Sequence, residues 1–381
     1  MATAMKLTAR QLNRASLGRQ LLLRRESLDA PEAVRRVVAV QAQEAASPYI
    51  ALWNRLVDFD PVDLDRAFAD QTVVKASLMR ITLQAVHASD YPAFHEAMQP
   101  SLRAARLNDR RFRRVGLSVA EAEALVPQVL EFAAEPHTNA EVEAWLDDRI
   151  GPTPKPGIWW AFRHFGPFVH APTGGSWSFG PRPSYVAARD QQRPGDVGVS
   201  MQQLVRRYLE GFGPATIQDI AAFSTIYRPP VKEAVEALGD ALACVEGPNG
   251  EQLFDVPGGL LPPEDTPAPP RLMAMWDNIL LGYVDRSRMI PPHYRQHVNR
   301  KNGDILPTLL VDGYVAGVWR PVEDGIEATA FHRLSEEVWA GLQAEARGLA
   351  AFLSGREPMV YRRYAHWWST LSSVEVRVLR G

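Results

Sequence analysis

Residues 216–256, TIQDIAAFSTIYRPPVKEAVEALGDALACVEGPNGEQLFDV, carry the pattern that decides the fold. Thr216-Ile217-Gln218-Asp219-Ile220 opens a short helix, and Pro229-Pro230 leads into a second over 231–238. Two short strand candidates, 243–246 and 252–256, then flank Gly247-Pro248-Asn249-Gly250, which is hairpin turn chemistry. A longer helical pattern over 199–212 precedes them.

The same order occurs one step earlier. Ser118 with Glu121 and Glu123 starts a helix to about 133, His137-Thr138-Asn139 precedes a short helix, and the Trp159–Phe165 segment is another. Phe168-Val169-His170 and Trp177-Ser178-Phe179 are strand candidates around Pro172-Thr173-Gly174-Gly175. Two successive segments with one element order argue for tandem helix-turn-helix units with wings. Turn-rich sequence near 181–198 separates them.

Toward the N-terminus, Thr8 and Gln11 stand in capping-box spacing before a helix over 8–25. A second helix starts at Asp29-Ala30-Pro31-Glu32 and leads to Gln41. Pro48 argues that helical structure stops soon after Gln41-Ala42-Gln43. A helix is expected at 62–70, a strand at 73–78, a helix near 88–98, and an arginine-rich connector over 99–116. Toward the C-terminus, six prolines in 257–270 mark an extended arm. Strands follow at 304–311, 314–319 and 325–331 with an Asp312-Gly313 turn, then a helix over 334–353 and a last strand at 373–379. The expected organisation is α+β in four parts: a first winged-helix unit with its connector (1–117), a second (118–197), a third (198–262) and a β-rich module (263–381).

Composition narrows the function classes. With 46% hydrophobic and 23% charged residues, the 381-residue chain can bury large cores. Cys244 is the sole cysteine, so neither an intrachain disulfide nor a cysteine-rich metal site can form. No signal-peptide core and no run of ~20 apolar residues is present, so a cytoplasmic protein without membrane insertion is expected. The formal net charge is −2, but cations are bunched. Lys6, Arg10, Arg14, Arg19, Arg24 and Arg25 precede the first acid, Glu26. Arg103, Arg106, Arg110, Arg111, Arg113 and Arg114 face one acid, Asp109, whereas residues 201–270 hold ten acids and four cations. A basic face against an acidic back is compatible with DNA binding.

No P-loop, dinucleotide glycine fingerprint, HExxH zinc motif or nucleophile elbow is present. The histidines show no recognisable metal spacing, and His293 with His297 read as part of a basic loop. The informative pair is Gln41 and Gln43, which point about 200° apart on a helix but share a face in an extended segment. On composition alone they are ordinary surface amides.

The chain resembles the AlkZ-type winged-helix family of bacterial DNA glycosylases, which includes an enzyme unhooking azinomycin-type interstrand crosslinks. The likeness rests on Val40-Gln41-Ala42-Gln43, on Ala51-Leu52-Trp53-Asn54-Arg55-Leu56, and on Leu78-Met79-Arg80-Ile81-Thr82-Leu83. It rests also on Trp276-Asp277-Asn278, on Asp285-Arg286-Ser287-Arg288, and on the stretch from Leu310 to Arg320. This chain has Ile81 where a Met-Arg-Gly-Thr-like element usually has glycine, and Gln43 where a general alkylpurine branch has Asp.

The resemblance implies three tandem winged helices around a concave DNA-binding channel, with a C-terminal β-rich module. It makes Gln41 and Gln43 the catalytic pair and the chain a monofunctional glycosylase. The expected substrate is bulky or crosslinked N7-alkylguanine in double-stranded DNA, processed for repair or self-resistance by a monomer with no metal or organic cofactor. Arg55, Arg80, Arg110, Arg111 and Arg113, then Arg286, Arg300 and Lys301, are the expected phosphate contacts, and the loop near 291–302 is expected to project into a groove. Lys75 is the nearest lysine for Schiff-base chemistry but reads as a strand residue. A noncatalytic winged-helix regulator fits the element order equally well, and a protein-binding scaffold is the third reading.

Overall fold

The computed structural model describes residues 5–154, 157–189 and 195–380. Residues 190–194, within the turn-rich stretch at 181–198, lie outside the described residues. Helix α1 (Ala9–Arg19) begins where Thr8 and Gln11 close the expected capping box. It stops before 25 because Leu21 turns the chain at φ 56°. Helix α2 (Ala30–Arg36), capped by Asp29, leads to strand β1 (Val40–Gln41). Pro48 opens helix α3 (Ser47–Trp53) rather than marking a stop, since a first-turn proline lacks an N–H that would have no intrahelical partner anyway. Helix α4 (Pro61–Ala69), strand β2 (Val73–Leu78) and strand β3 (Thr82–His87) follow, and the sheet order is β1-β3-β2, antiparallel throughout.

Helix α5 (Tyr91–Leu107) extends through Pro100 and absorbs the first half of the expected connector, and α6 (Arg110–Arg113) takes part of the rest. Next come α7 (Val119–Phe132), β4 (His137–Thr138), α8 (Asn139–Ile150), α9 (Trp159–Phe165), β5 (Phe168–Ala171) and β6 (Ser184–Ala187), in sheet order β4-β6-β5. The strand expected at 177–179 forms instead at 184–187. Ser178 is held at φ 58°, its hydroxyl donating to Asp65 at 2.6 Å and accepting from Tyr49 at 2.8 Å, while the Trp177 ring packs 5.1 Å from Tyr49. These contacts tie residues 177–178 to the first segment's core and remove them from the sheet.

The third segment holds α10 (Val197–Phe212), α11 (Ile217–Ser224), α12 (Arg228–Leu238), β7 (Ala243–Glu246) and β8 (Gln252–Asp255). Ala215 forms an isolated bridge to Phe254 on β8. It occupies the place beside β8 that β1 has beside β3 and β4 beside β6. All three segments therefore share one element order and one strand arrangement.

The remainder holds β9 (Arg271–Leu272), α13 (Arg295–Val298), β10 (Thr308–Val311), β11 (Tyr314–Val322), β12 (Gly325–Ala330), α14 (Glu336–Ser354) and β13 (Glu375–Arg380). Its strands form one antiparallel sheet, β13-β12-β11-β10-β9, with the Asp312-Gly313 turn joining β10 to β11. The molecule is thus α+β, with many helices and several small sheets. One hydrophobic core joins residues of α1 to β3 with this C-terminal sheet and α14, and a second joins β2 and α5 to the middle segments. Among the described residues no helix is long and apolar enough to cross a membrane.

The N-terminal basic segment is consumed by these junctions. Arg10 and Arg14 bind Asp312, Arg19 grips Asp255 at 2.7 Å with both groups buried, and Arg25 binds Glu345 at 2.7 Å. Lys6 likewise pairs with Glu246, so five of its six cations tie to later segments, while Arg24 is exposed and pairs locally with Glu26.

Candidate active site

Gln41 lies on β1, paired in register with Gln84 on β3 and nearly fully buried at 3% exposure. Beyond it the chain leaves the sheet, and Gln43 is exposed. The Gln41 Oε1 accepts from the Gln43 backbone N–H at 2.5 Å, so the buried amide pins the peptide that carries the exposed one. Among the described residues the Gln41 Nε2 has no hydrogen-bond partner and is left as a donor. A cavity of about 10 Å³ behind Gln41 is lined by Ser47, Ala51, Arg55, Met275, Asp277 and Asn278, among others.

Asn278 knits this region together. Its Nδ2 donates to Ala39 O at 2.7 Å and to Gln84 Oε1 at 3.0 Å, while its Oδ1 accepts from Arg80 at 2.6 Å. Gln84 in turn donates to Thr82 Oγ1 at 2.8 Å. Arg80 also stands 5.1 Å from the Phe223 ring and adopts φ 58°. Ile81 follows at φ 55°, in the left-handed region that glycine enters freely and a β-branched residue enters only under strain. That is the position where the resembled element has glycine. Burial disfavours the Arg80 cation, and the charge of Arg286 adds to the effect.

On the other side of Gln43, the Glu44 carboxylate accepts from Arg363 and from the Tyr364 hydroxyl at 3.0 Å. Burial raises the Glu44 carboxyl above its ordinary range and Arg363 opposes that rise. Lys75 lies buried with its ammonium 4.2 Å from the Phe179 ring, and burial pushes it down to about 8 against the pull of Glu44.

The expected phosphate contacts divide. Arg55 is buried and both its terminal nitrogens bind Asp277, at 2.8 and 2.9 Å, so it is a wall of the site and not a phosphate ligand. Arg80 and Arg286 are partly exposed; Arg110, Arg111, Arg113 and Lys301 are exposed. Arg111 stacks 4.7 Å from Trp160. Arg300 binds the Trp367 carbonyl at 3.0 Å and the Thr370 hydroxyl. The loop at 291–302 is a helical turn, α13 and a tight reversal in which Asn299 bridges Ile305. Glu44, Gln84, Tyr361, Arg363 and Tyr364 escaped sequence reasoning; the partners that bring them to the site, such as Asn278 for Gln84 and Arg363 for Glu44, are far away in the chain and no local spacing marks them. Asp277 and Asn278 were visible only as part of the resembled motif.

The arrangement offers neutral amides, oriented donors and partly buried guanidinium groups around one exposed loop. Among the described residues no group of three or more His, Cys, Asp or Glu could hold a metal ion.

The chain is 25% identical over 347 residues to an interstrand DNA cross-link repair glycosylase of Streptomyces sahachiroi, covering 86% of this chain and 91% of that protein. The solved structure of the Streptomyces sahachiroi DNA glycosylase AlkZ superposes with a TM-score of 0.77 at 22% identity, over 93% of this chain and 99% of the other. That likeness shows a shared fold. The family described as DNA glycosylase AlkZ-like matches residues 34–352, a span that holds Gln41, Gln43, Arg80 and Asn278. The chain belongs to the AlkZ-like DNA glycosylase family.

Proposed function

We propose that the protein is a monofunctional glycosylase that hydrolyses the N-glycosidic bond of bulky or crosslinked N7-alkylguanine in duplex DNA. The observation that carries this reading is the Gln41–Gln43 arrangement: one amide is buried and pins the backbone of the other, which faces solvent. An N7-alkylated guanine is already cationic, so it departs without a strong general acid. The C1′–N9 bond breaks with its electron pair passing to the base, and a bond forms between C1′ and a water oxygen whose proton goes to solvent. Gln43 accepts a hydrogen bond from that water, while the free Gln41 Nε2 donates toward the water or the sugar. A neutral amide is a poor base near pH 7, so the site serves activated substrates and spares normal purines.

The three repeated segments are read as winged-helix units over 1–117, 118–197 and 198–262, around a DNA channel closed by the module at 263–381. The short lead segment beside the last strand, a two-residue strand in the first two units and the single Ala215 bridge in the third, supports this reading. A monomer suffices, because tandem units supply the several DNA-contacting surfaces that dimers obtain by symmetry. Repair or self-resistance in the cytoplasm is the biological setting this implies. Interstrand crosslinks, with the azinomycin type as the case to test, are favoured over small alkyl groups because a relative is described as an interstrand DNA cross-link repair glycosylase, and because an open channel suits an adduct too large for a base-flipping pocket.

The test is abasic-site formation on duplexes carrying N7-methylguanine or an azinomycin-type crosslink, comparing the native protein with Gln43→Ala. Lost product with retained DNA binding supports the assignment, and preference for the crosslink supports the substrate class. Tight binding with no product on either duplex would replace the enzyme with a DNA-binding regulator.

A further inference from the structure

Gln43 projects from a stretch that belongs to neither β1 nor α3. Ordering such backbone costs roughly 1–2 kcal/mol per residue, so something must hold it. One restraint is the Gln41 amide. Backbone bonds from the Ala42 N–H to Leu83 O at 2.9 Å and from the Ser47 N–H to Glu44 O at 3.1 Å hold its two ends, and further side-chain restraints come from the far end of the chain, a 3-10 turn at Arg362–Thr370 and the residue before it. Arg363 and Tyr364 both donate to the same Glu44 oxygen, and Tyr361 shares a hydrogen bond of 2.9 Å with Ser47, the first residue of α3. Tyr361 also accepts from the Met275 N–H at 3.4 Å and is held at φ 62°.

This arm is itself well anchored. The Tyr364 ring meets Trp276 edge-on at 5.5 Å, Arg300 binds the Trp367 carbonyl, and the Trp367 indole donates to Asp304 at 2.9 Å. It lies beyond residue 352, where the family match ends. The contact therefore joins the proposed catalytic loop to a part of the chain that the family match does not include.

We infer that Glu44 is a positioning residue for the base-excision reaction, clamped by Arg363 and Tyr364 so that the neighbouring Gln43 amide is held in its working geometry. The inference rests on the reading of Gln43 as a catalytic residue. Glu44 does not touch the reacting atoms. Its carboxylate is the fixed point, with a side chain 20% exposed against 66% for Arg363, and the charge-assisted bonds it accepts are the strong kind. Misplacing a reacting group by about 1 Å can cost on the order of a hundredfold in rate. Loss of the clamp is therefore expected to slow chemistry while leaving the phosphate contacts, and hence DNA affinity, in place.

The experiment is single-turnover base release from an N7-methylguanine duplex, with DNA affinity and melting temperature measured alongside, for Glu44→Ala, Glu44→Gln, Arg363→Ala, Tyr364→Phe and Gln43→Ala. Glu44→Ala is expected to be at least about tenfold slower with affinity unchanged within about twofold. Glu44→Gln should recover most of the rate, because an amide oxygen still accepts from Tyr364 and Arg363. Arg363→Ala should be slowed less, and adding it to Glu44→Ala should slow the reaction no further. Wild-type rates in Glu44→Ala overturn the inference. So does Glu44→Gln as slow as Glu44→Ala, which would make charge rather than position the cause. If Glu44→Ala fails to fold, the exposed Arg363 decides: Arg363→Ala with normal melting and normal rate overturns the clamp. Undiminished release by Gln43→Ala would instead refute the underlying catalytic reading.

Discussion

Arg55 and Asp277 form a two-point ion pair at 2.8 and 2.9 Å, with both side chains 2% exposed. Arg55 closes the C-terminal side of α3, and Asp277 caps the turn that presents Asn278, so the pair locks the helix after the glutamine loop to the segment that organises Arg80 and Gln84. Removing one partner strands a buried charge, and Asp277→Ala is expected to cost about 3–5 kcal/mol. The double variant Arg55→Met with Asp277→Ala should lose markedly less than the two single losses, Arg55→Met and Asp277→Ala, combined. Denaturant melts of the four proteins give the coupling directly, and a coupling near zero would show that the pair is not acting as a unit.

Asn278 satisfies Ala39, Gln84 and Arg80 at once. Asn278→Ala leaves two buried acceptors without their donor, at about 1–3 kcal/mol each. The variant should be destabilised by about 3 kcal/mol in equilibrium unfolding. Because Arg80 loses its Oδ1 partner as well, affinity for undamaged duplex should also change. A variant as stable as the native protein would mean that the two acceptors find other donors.

How much of this was legible in the sequence follows from where each partner lies. The capping box at Thr8 and Gln11, the Asp312-Gly313 turn and the strand at 73–78 are set by neighbours in the chain, and these were readable. The repeated helix, helix, hairpin order was readable for the same reason. Residues 177–178 were misread as a strand because their anchors, Tyr49 and Asp65, lie more than a hundred positions away. Arg14, Arg19 and Arg55 looked like a free basic supply because their carboxylates, at 312, 255 and 277, come from distant segments. Gln41 and Gln43 stood out by resemblance. The Glu44 clamp had no local signature.

The same division predicts which cations carry DNA affinity. Arg110, Arg111 and Arg113 are exposed on α6, and each Ala variant should flatten the slope of log affinity against log salt by roughly 0.9. Arg14→Met and Arg19→Met should leave the slope alone and lower stability, since their guanidinium groups are tied to Asp312 and Asp255. Binding isotherms at several salt concentrations separate the groups. Flattened slopes in the second group and unchanged ones in the first would invert the assignment of the DNA face.

Lys75 supplies a pH signature of the site's floor. Its ammonium is buried against Phe179 and near Glu44, and burial lowers its pKa from an ordinary 10.5 to about 8. Below about pH 8 the lysine is charged in both folded and unfolded chains, and the full desolvation penalty acts on the folded state. Between about 8 and 10.5 the unfolded chain holds the proton more often than the folded one, so stability rises with pH across that window, by roughly 1–2 kcal/mol from pH 8 to 9.5. Above the upper limit both forms are neutral and the effect is complete. Buried tyrosines such as Tyr361 and Tyr364 have pKa values raised by burial, which makes stability fall at pH values above about 10. The comparison therefore belongs below pH 9.5 and is made as a difference against Lys75→Met. That variant should lack the rise. It should also be the more stable protein at pH 7, by about 1–2 kcal/mol once the lost ring contact is set against the relieved charge. Parallel stability curves for the two proteins from pH 7 to 9.5 would show that Lys75 keeps an ordinary pKa and that Glu44 and Phe179 fully compensate its burial.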